Sequence, residues 1–165
     1  MSDLVDYDFG PHSRNRLADT ALETADGAVA ALETFYYALN HGDLDVLAQI
    51  WSDDDLTQVD NPVGGIVRSG AAIVELYRHL FESGMQLEIT FTDAATYWSP
   101  GAAMFAGREL GHYTNGEGER VPMEFRTSRY FTWHPRHERW RQIHHHGSLD
   151  DPVALHDYQV AAERV

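Results

Sequence analysis

Three places in the chain carry side chains able to move a proton or hold an anion. The first is Asp60-Asn61-Pro62. Proline holds the residue before it out of helix, which leaves a carboxylate and an amide at the end of a short apolar stretch. The second is the alternating run 121–133, with Phe125, Thr127, Arg129 and Phe131 on one side and Glu124, Arg126, Ser128 and Tyr130 on the other. An arginine placed among phenylalanines keeps its charge and requires a carboxylate or an oxyanion, supplied either by a ligand or by Asp60 or Glu109 of the chain itself. The third is His144-His145-His146. Strand parity sets His144 and His146, with Trp140 and Gln142, opposite Ile143 and His145. Two histidines on one face make a metal site only with a third ligand such as His112 or Glu124, so no metal is expected. The sequence contains no cysteine, which excludes disulfides and thiolate chemistry and leaves general acid–base work by Asp, His, Tyr and Arg.

The elements that must position these groups follow from periodicity. Val29, Leu32, Tyr36 and Leu39 recur at helical spacing within a helix expected over 17–40, and His41-Gly42-Asp43 stops it. Asp43 suits the N-cap of a second helix over 44–51, and Ser69 that of a third, whose Ile73, Leu76, Tyr77, Leu80 and Phe81 form one apolar stripe ending at Gly84. A short strand over 56–59 separates them. Four longer strands follow, from Leu87, over 102–113, over 121–133 and over 140–146, joined at Ser99-Pro100-Gly101, Asn115-Gly116-Glu117-Gly118 and His134-Pro135-Arg136-His137. Helices first and hairpin-linked strands after them predict an α+β domain with a curved antiparallel sheet wrapped on helices. Residues 1–17 read as a flexible polar arm or a segment docking on a neighbour, 18–148 as the domain, and 149–165 as a tail with a short helix started by Pro152.

Composition bounds the partners. With 165 residues, 43% hydrophobic content and a net charge of −14, one domain with one core is expected. Phosphate backbones and anionic lipid surfaces are disfavoured. The N-terminus lacks a basic-then-apolar pattern and no apolar run has the length of a membrane span, so a cytoplasmic protein is expected.

The stretch Ala38-Leu39-Asn40-His41-Gly42-Asp43-Leu44-Asp45, then Trp51 with acidic residues behind it, Asn61-Pro62-Val63-Gly64, and Arg68-Ser69-Gly70 before a helix resembles the ketosteroid isomerase and SnoaL-like branch of the nuclear transport factor 2 superfamily. The resemblance covers roughly residues 20–148 and implies a cone-shaped α+β fold around an apolar cavity. Phe35 and Asn61 stand where the isomerase has its oxyanion-binding tyrosine and its general-base aspartate, so those two roles do not carry over. Arg129 matches the second oxyanion donor, Tyr77 an accessory pocket tyrosine, and the matching puts His145 in the pocket. The ending Trp140-Arg141-Gln142-Ile143-His144-His145-His146-Gly147-Ser148 is similar to that of the kinase II association-domain branch, in which some histidines lie on the outer face and at a dimer contact.

The resemblance implies a cofactor-independent isomerase, dehydratase or cyclase acting on a small apolar or polycyclic carbonyl compound. Asp60, its pKa raised at a cavity mouth, or His145 would move the proton, and Arg129 with Tyr77 or Tyr36 would stabilise the oxyanion. Tyr36, Trp51, Asn61, Tyr77, Phe125 and Phe131 would bind the substrate. The alternative is a non-catalytic ligand-binding or assembly module of the same fold. A homodimer is expected through the sheet's outer face, to which parity assigns Trp140 and Tyr130.

Overall fold

A computed structural model describes residues 2–60, 65–149 and 151–163, so Asn61 lies outside the described residues. In order come β1 (Ser2–Val5), a 3-10 turn (Leu17–Ala21), α1 (Ala25–His41), α2 (Leu44–Ile50), β2 (Gln58–Asp60), β3 (Ile66–Arg68), α3 (Gly70–Glu82), β4 (Leu87–Ser99), β5 (Ala102–Thr114), β6 (Arg120–His134), β7 (Arg139–Leu149) and α4 (Pro152–Glu163). The sheet runs β1-β4-β5-β6-β7-β2-β3. It is mixed rather than antiparallel throughout, because β2 pairs with β7 in parallel. Curved and unclosed, it wraps the helices into the α+β cone.

Local chemistry sets the helix ends. The first helix starts at Ala25 rather than at 17, because the Thr24 side chain accepts from Gly27 N as an N-cap and Leu22 is extended. Gly42 ends it in the left-handed conformation, φ 64°. Asp43 and Ser69 cap α2 and α3. Helix α1 is buried almost all round, Leu32, Phe35 and Tyr36 completely. Its polar Glu33 is buried too, and is met by Arg14 and Arg16 at 3.3 Å each. That ion cluster explains why the N-terminal segment is docked rather than free: Tyr7 and Phe9 stack at 4.8 Å, Phe9 bridges to Phe91, and β1 extends the sheet along β4.

Bulges decide which side chains face inward. Between Thr92 and Ala95 the β4–β5 register shifts, with Asp93 at φ 48°, and a Cβ on the facing Gly107 would lie 2.7 Å from the Thr92 carbonyl oxygen; the sheet bends sharply there. A second shift falls between Tyr130 and Phe131: Tyr130 pairs with His144, Phe131 pairs with Gln142, and Ile143 is left over. That one extra residue reverses the parity expected for β7. Trp140 and Gln142 are fully buried rather than sharing the outer face with His144 and His146. Trp140 packs 5.3 Å from Trp98 and donates to the Leu22 carbonyl. It therefore contributes nothing to an outer-face dimer contact, whereas Tyr130 remains 36% exposed.

Asn40 ties α1 to the free edge of β4 beyond Phe9. Its side chain accepts from Ile89 N at 2.8 Å and donates to the Ile89 carbonyl at 2.9 Å, as a neighbouring strand would. Asn40→Leu should destabilise the fold by about 2–3 kcal/mol in urea unfolding, because both main-chain groups lose their partner. Asn40→Asp, which retains the acceptor for Ile89 N, should cost less.

Candidate active site

The cone encloses a cavity of about 270 Å³. Its walls are mainly apolar: Leu39 from α1, Val59 from β2, Leu76 and Leu80 from α3, Met85, Ile89, Met123 and Phe125. Polar groups enter from Tyr77, Glu109, Arg129, His145 and Tyr158, with His79 and Ser83 contributed by α3 and its C-terminal end. A few polar groups on an apolar wall fix a ligand's orientation while the rest of it is desolvated.

Arg129 is 1% exposed, and its charge is met within the protein. Its Nη2 donates to Glu109 Oε1 at 2.6 Å, its Nε to the Tyr36 hydroxyl at 2.9 Å, and its Nη1 to Gln142 Oε1 at 3.4 Å. The Tyr36 hydroxyl in turn donates to Glu109 Oε1 at 2.7 Å. Phe35 lies beneath the guanidinium, 3.8 Å from Cζ to ring centroid. Burial opposes the Arg129 charge, but Tyr36 and Glu109 more than restore it, so its pKa is raised. Of the two partners considered for this arginine, Glu109 is the one present. Glu109, not Arg108, turns inward; Arg108 lies outside with Asp93 and Glu124. Burial holds the Tyr77 phenol un-ionised, pushed up to about 12, and likewise raises that of Tyr36 well above its ordinary value.

His145 is buried, and burial followed by the charge of Arg129 depresses its pKa well below the usual imidazole value. The ring is therefore neutral, and the hydrogen bonds fix its tautomer. Thr127 Oγ1 donates its proton to the His146 carbonyl at 3.2 Å, so it accepts from His145 Nε2 at 3.0 Å. Nδ1 is left with the lone pair, and it is buried without a partner among the described residues. The residue lines the cavity while that nitrogen itself is covered, so a buried polar atom is left without compensation in the cavity wall.

The other expected site residues are divided. Phe125 and Tyr77 line the cavity, and Tyr36 stands behind Arg129. Trp51 and Phe131 are buried but not on the cavity wall; Trp51 packs 6.4 Å from Tyr77, and Phe131 packs 5.7 Å from Phe105. Asp60 is a correction. Val59 faces the cavity, so Asp60, one residue on, points outward between His144 and His146, at 3.3 and 3.4 Å. Its pKa is not raised there. Burial pushes it upward, but hydrogen bonds from His146 and Gln58 and the nearby His144 outweigh that and lower it. His112 and Glu124, considered as third metal ligands, are held by Glu88 and Arg108 instead.

Tyr158 was not anticipated. It reaches the cavity from α4 and packs edge-on against Tyr113 and Phe125 at 5.3 and 5.7 Å. As the single aromatic residue in 149–165, it was the one signal that the tail helix docks rather than hangs free.

The SnoaL-like domain model matches residues 28–152. The chain belongs to the SnoaL-like family. This SnoaL-like chain is also similar to solved structures that share its fold at low identity. A ketosteroid isomerase-like protein from Erwinia carotovora atroseptica is 17% identical, with TM-score 0.63 over 76% of this chain and 95% of that one. A nuclear transport factor 2-like protein from Cytophaga hutchinsonii is 13% identical, with TM-score 0.62 over 78% and 99%. The kinase II hub homology domain of Chlamydomonas reinhardtii is 15% identical, with TM-score 0.60 over 79% and 100%. Among the described residues, no helix is long and apolar enough to cross a membrane.

Two measurements follow from the SnoaL-like site. Arg129→Met should cost about 3–5 kcal/mol in chemical unfolding, because Glu109 is left buried and unpaired, and adding Glu109→Leu should recover much of that loss. The depressed His145 pKa also makes stability fall on acidification. The unfolded ring gains its proton near pH 6.5 and the folded ring only well below it, so stability present above pH 6.5 is lost as the pH falls beneath that value. His145→Asn should remove up to about 1.4 kcal/mol per pH unit from that slope, the limit for one proton. The His134 ring, also held low by burial, contributes with the same sign and remains in the variant.

Proposed function

We propose that this SnoaL-like domain is a cofactor-independent enzyme of the isomerase or dehydratase kind, acting on a small, uncharged carbonyl compound. The observation that carries this reading is the neutral His145, whose covered lone-pair nitrogen has no partner among the described residues, in the same cavity lining as Arg129 and the un-ionised Tyr77. The ligand is read as uncharged because Arg129 is already neutralised: a carboxylate entering here would meet the Glu109 carboxylate as well. It is read as small because 270 Å³ lies below the ~300–1,000 Å³ usual for drug-sized ligands.

In this reading a turn of the His145 ring brings Nδ1, covered at rest, to the cavity, where it removes a proton from the carbon beside the carbonyl, while the Tyr77 hydroxyl donates to the carbonyl oxygen and the Arg129 charge stabilises the enolate. Returning the proton to a different carbon completes an isomerisation. Giving it to a departing β-hydroxyl completes a dehydration, with water as the other product. Neither outcome transfers electrons to a second reactant. The fold shared with a ketosteroid isomerase-like protein is consistent with this class.

A binding-only domain is the competing reading. It is favoured by the three hydrogen bonds that Arg129 already makes within the protein. The two are separated by incubating the protein in D2O with small cyclic unsaturated ketones and β-hydroxy ketones, and following carbon-bound deuterium by NMR. Catalysed exchange should appear for at least one ligand that binds. It should drop by about 10²–10⁴ in His145→Gln, the usual contribution of a general base, with ligand affinity changed little. Binding without exchange, or exchange indifferent to His145→Gln, favours the binding domain.

A further inference from the structure

The β6–β7 hairpin turns through His134-Pro135-Arg136-His137, closed by His137 N donating to the His134 carbonyl at 3.1 Å. Its two imidazoles, with ring centroids 4.6 Å apart, come together with Asp53, which follows α2 in the chain. One ligating atom from each of the three lies within 4.8 Å of the others. Donors about 2.0–2.2 Å from one shared ion stand roughly 3–4 Å apart, so small rotations of the Asp53 and His137 side chains, 66% and 34% exposed, close the remaining gap. We propose that Asp53, His134 and His137 form a binding site for a divalent transition-metal ion of the zinc type, separate from the cavity, whose lining includes none of them.

Two nitrogens and one carboxylate oxygen suit zinc, nickel, cobalt or copper, whereas magnesium and calcium take sets made of oxygen. The His134 Nδ1 atom is buried with no hydrogen-bond partner among the described residues, an unsatisfied group that ligation of an ion by that nitrogen accounts for. Two positive charges oppose a cation here, Arg136 in the turn itself and Arg141 on β7. Arg141 Nη1 lies 3.7 Å from Asp53 Oδ1 while His137 Nε2 lies 3.3 Å from Oδ2. An ion therefore displaces the His137 contact at Oδ2 and leaves Arg141 on Oδ1, where it orients the carboxylate from the second sphere. Arg141 is itself held by the Trp51 carbonyl at 3.1 Å, so it need not move. A bound ion would join the chain after α2 to the hairpin and stabilise the fold.

The test titrates zinc chloride into the full chain, without a histidine tag, by calorimetry near pH 7.5, with magnesium chloride as the control. One equivalent of zinc should bind and raise the melting temperature, and magnesium should do neither. His137→Gln and Asp53→Asn should each weaken zinc binding at least tenfold while melting like the parent in the absence of metal. A His144→Gln/His146→Gln double variant should bind as the parent does. Absence of zinc binding by the parent, or binding that survives His137→Gln and Asp53→Asn and disappears in the double variant, overturns the proposal.

Discussion

A guanidinium with 1% of its surface exposed governs how this cone is assembled. Stripped of water, the Arg129 charge is tolerable only where acceptors surround it, and they arrive from three other elements: Tyr36 from α1, Glu109 from β5 and Gln142 from β7. The contacts are directional in a way that hydrophobic packing is not. They specify where helix α1 lies along the sheet, and Asn40, one turn further along the helix, secures the same alignment by pairing with the β4 backbone at Ile89. Apolar burial around Phe35, Phe105 and Phe131 supplies the driving force, and the charged cluster selects one arrangement among those that would bury similar area.

The same cluster determines what the cavity can do. Because Glu109 balances Arg129, the polar end of the cavity has no net charge to offer an anionic ligand, yet it retains a strong local field and an un-ionised phenol at Tyr77. His145 completes the arrangement through the opposite response to burial. With no carboxylate beside it, the ring sheds its proton, and Thr127 occupies Nε2 so that the basic nitrogen remains. The un-ionised phenol and the neutral imidazole are thus both set by environment, not by residue type alone.

Much of the fold was legible because the relevant signals are local. Helical periodicity, the caps at Asp43 and Ser69, and the alternation of Phe125, Thr127, Arg129 and Phe131 involve residues within a few positions of one another, and all appear in the structure. The resemblance of the Ala38–Asp45 stretch to the SnoaL-like pattern extended this to the cone. What failed was parity carried across an irregularity. The left-over Ile143 reversed Trp140 and Gln142, and Asp60 stayed one residue out of phase with the cavity although proline follows so soon. Bulges depend on how two strands meet, so a single strand's sequence does not announce them.

The sequence by itself determined the inventory: no thiol, a net charge of −14, one arginine among aromatic residues, and helices preceding hairpin-linked strands. Only the tertiary structure decided the pairings. Glu109 rather than Asp60 meets Arg129, 20 positions apart along the chain, and Tyr158 closes over the cavity from a helix that the sequence leaves as a tail. The reason is physical. Propensity and periodicity act over a few residues, whereas desolvation of a charge or a ring depends on everything that packs around it, and that set is assembled from the whole chain.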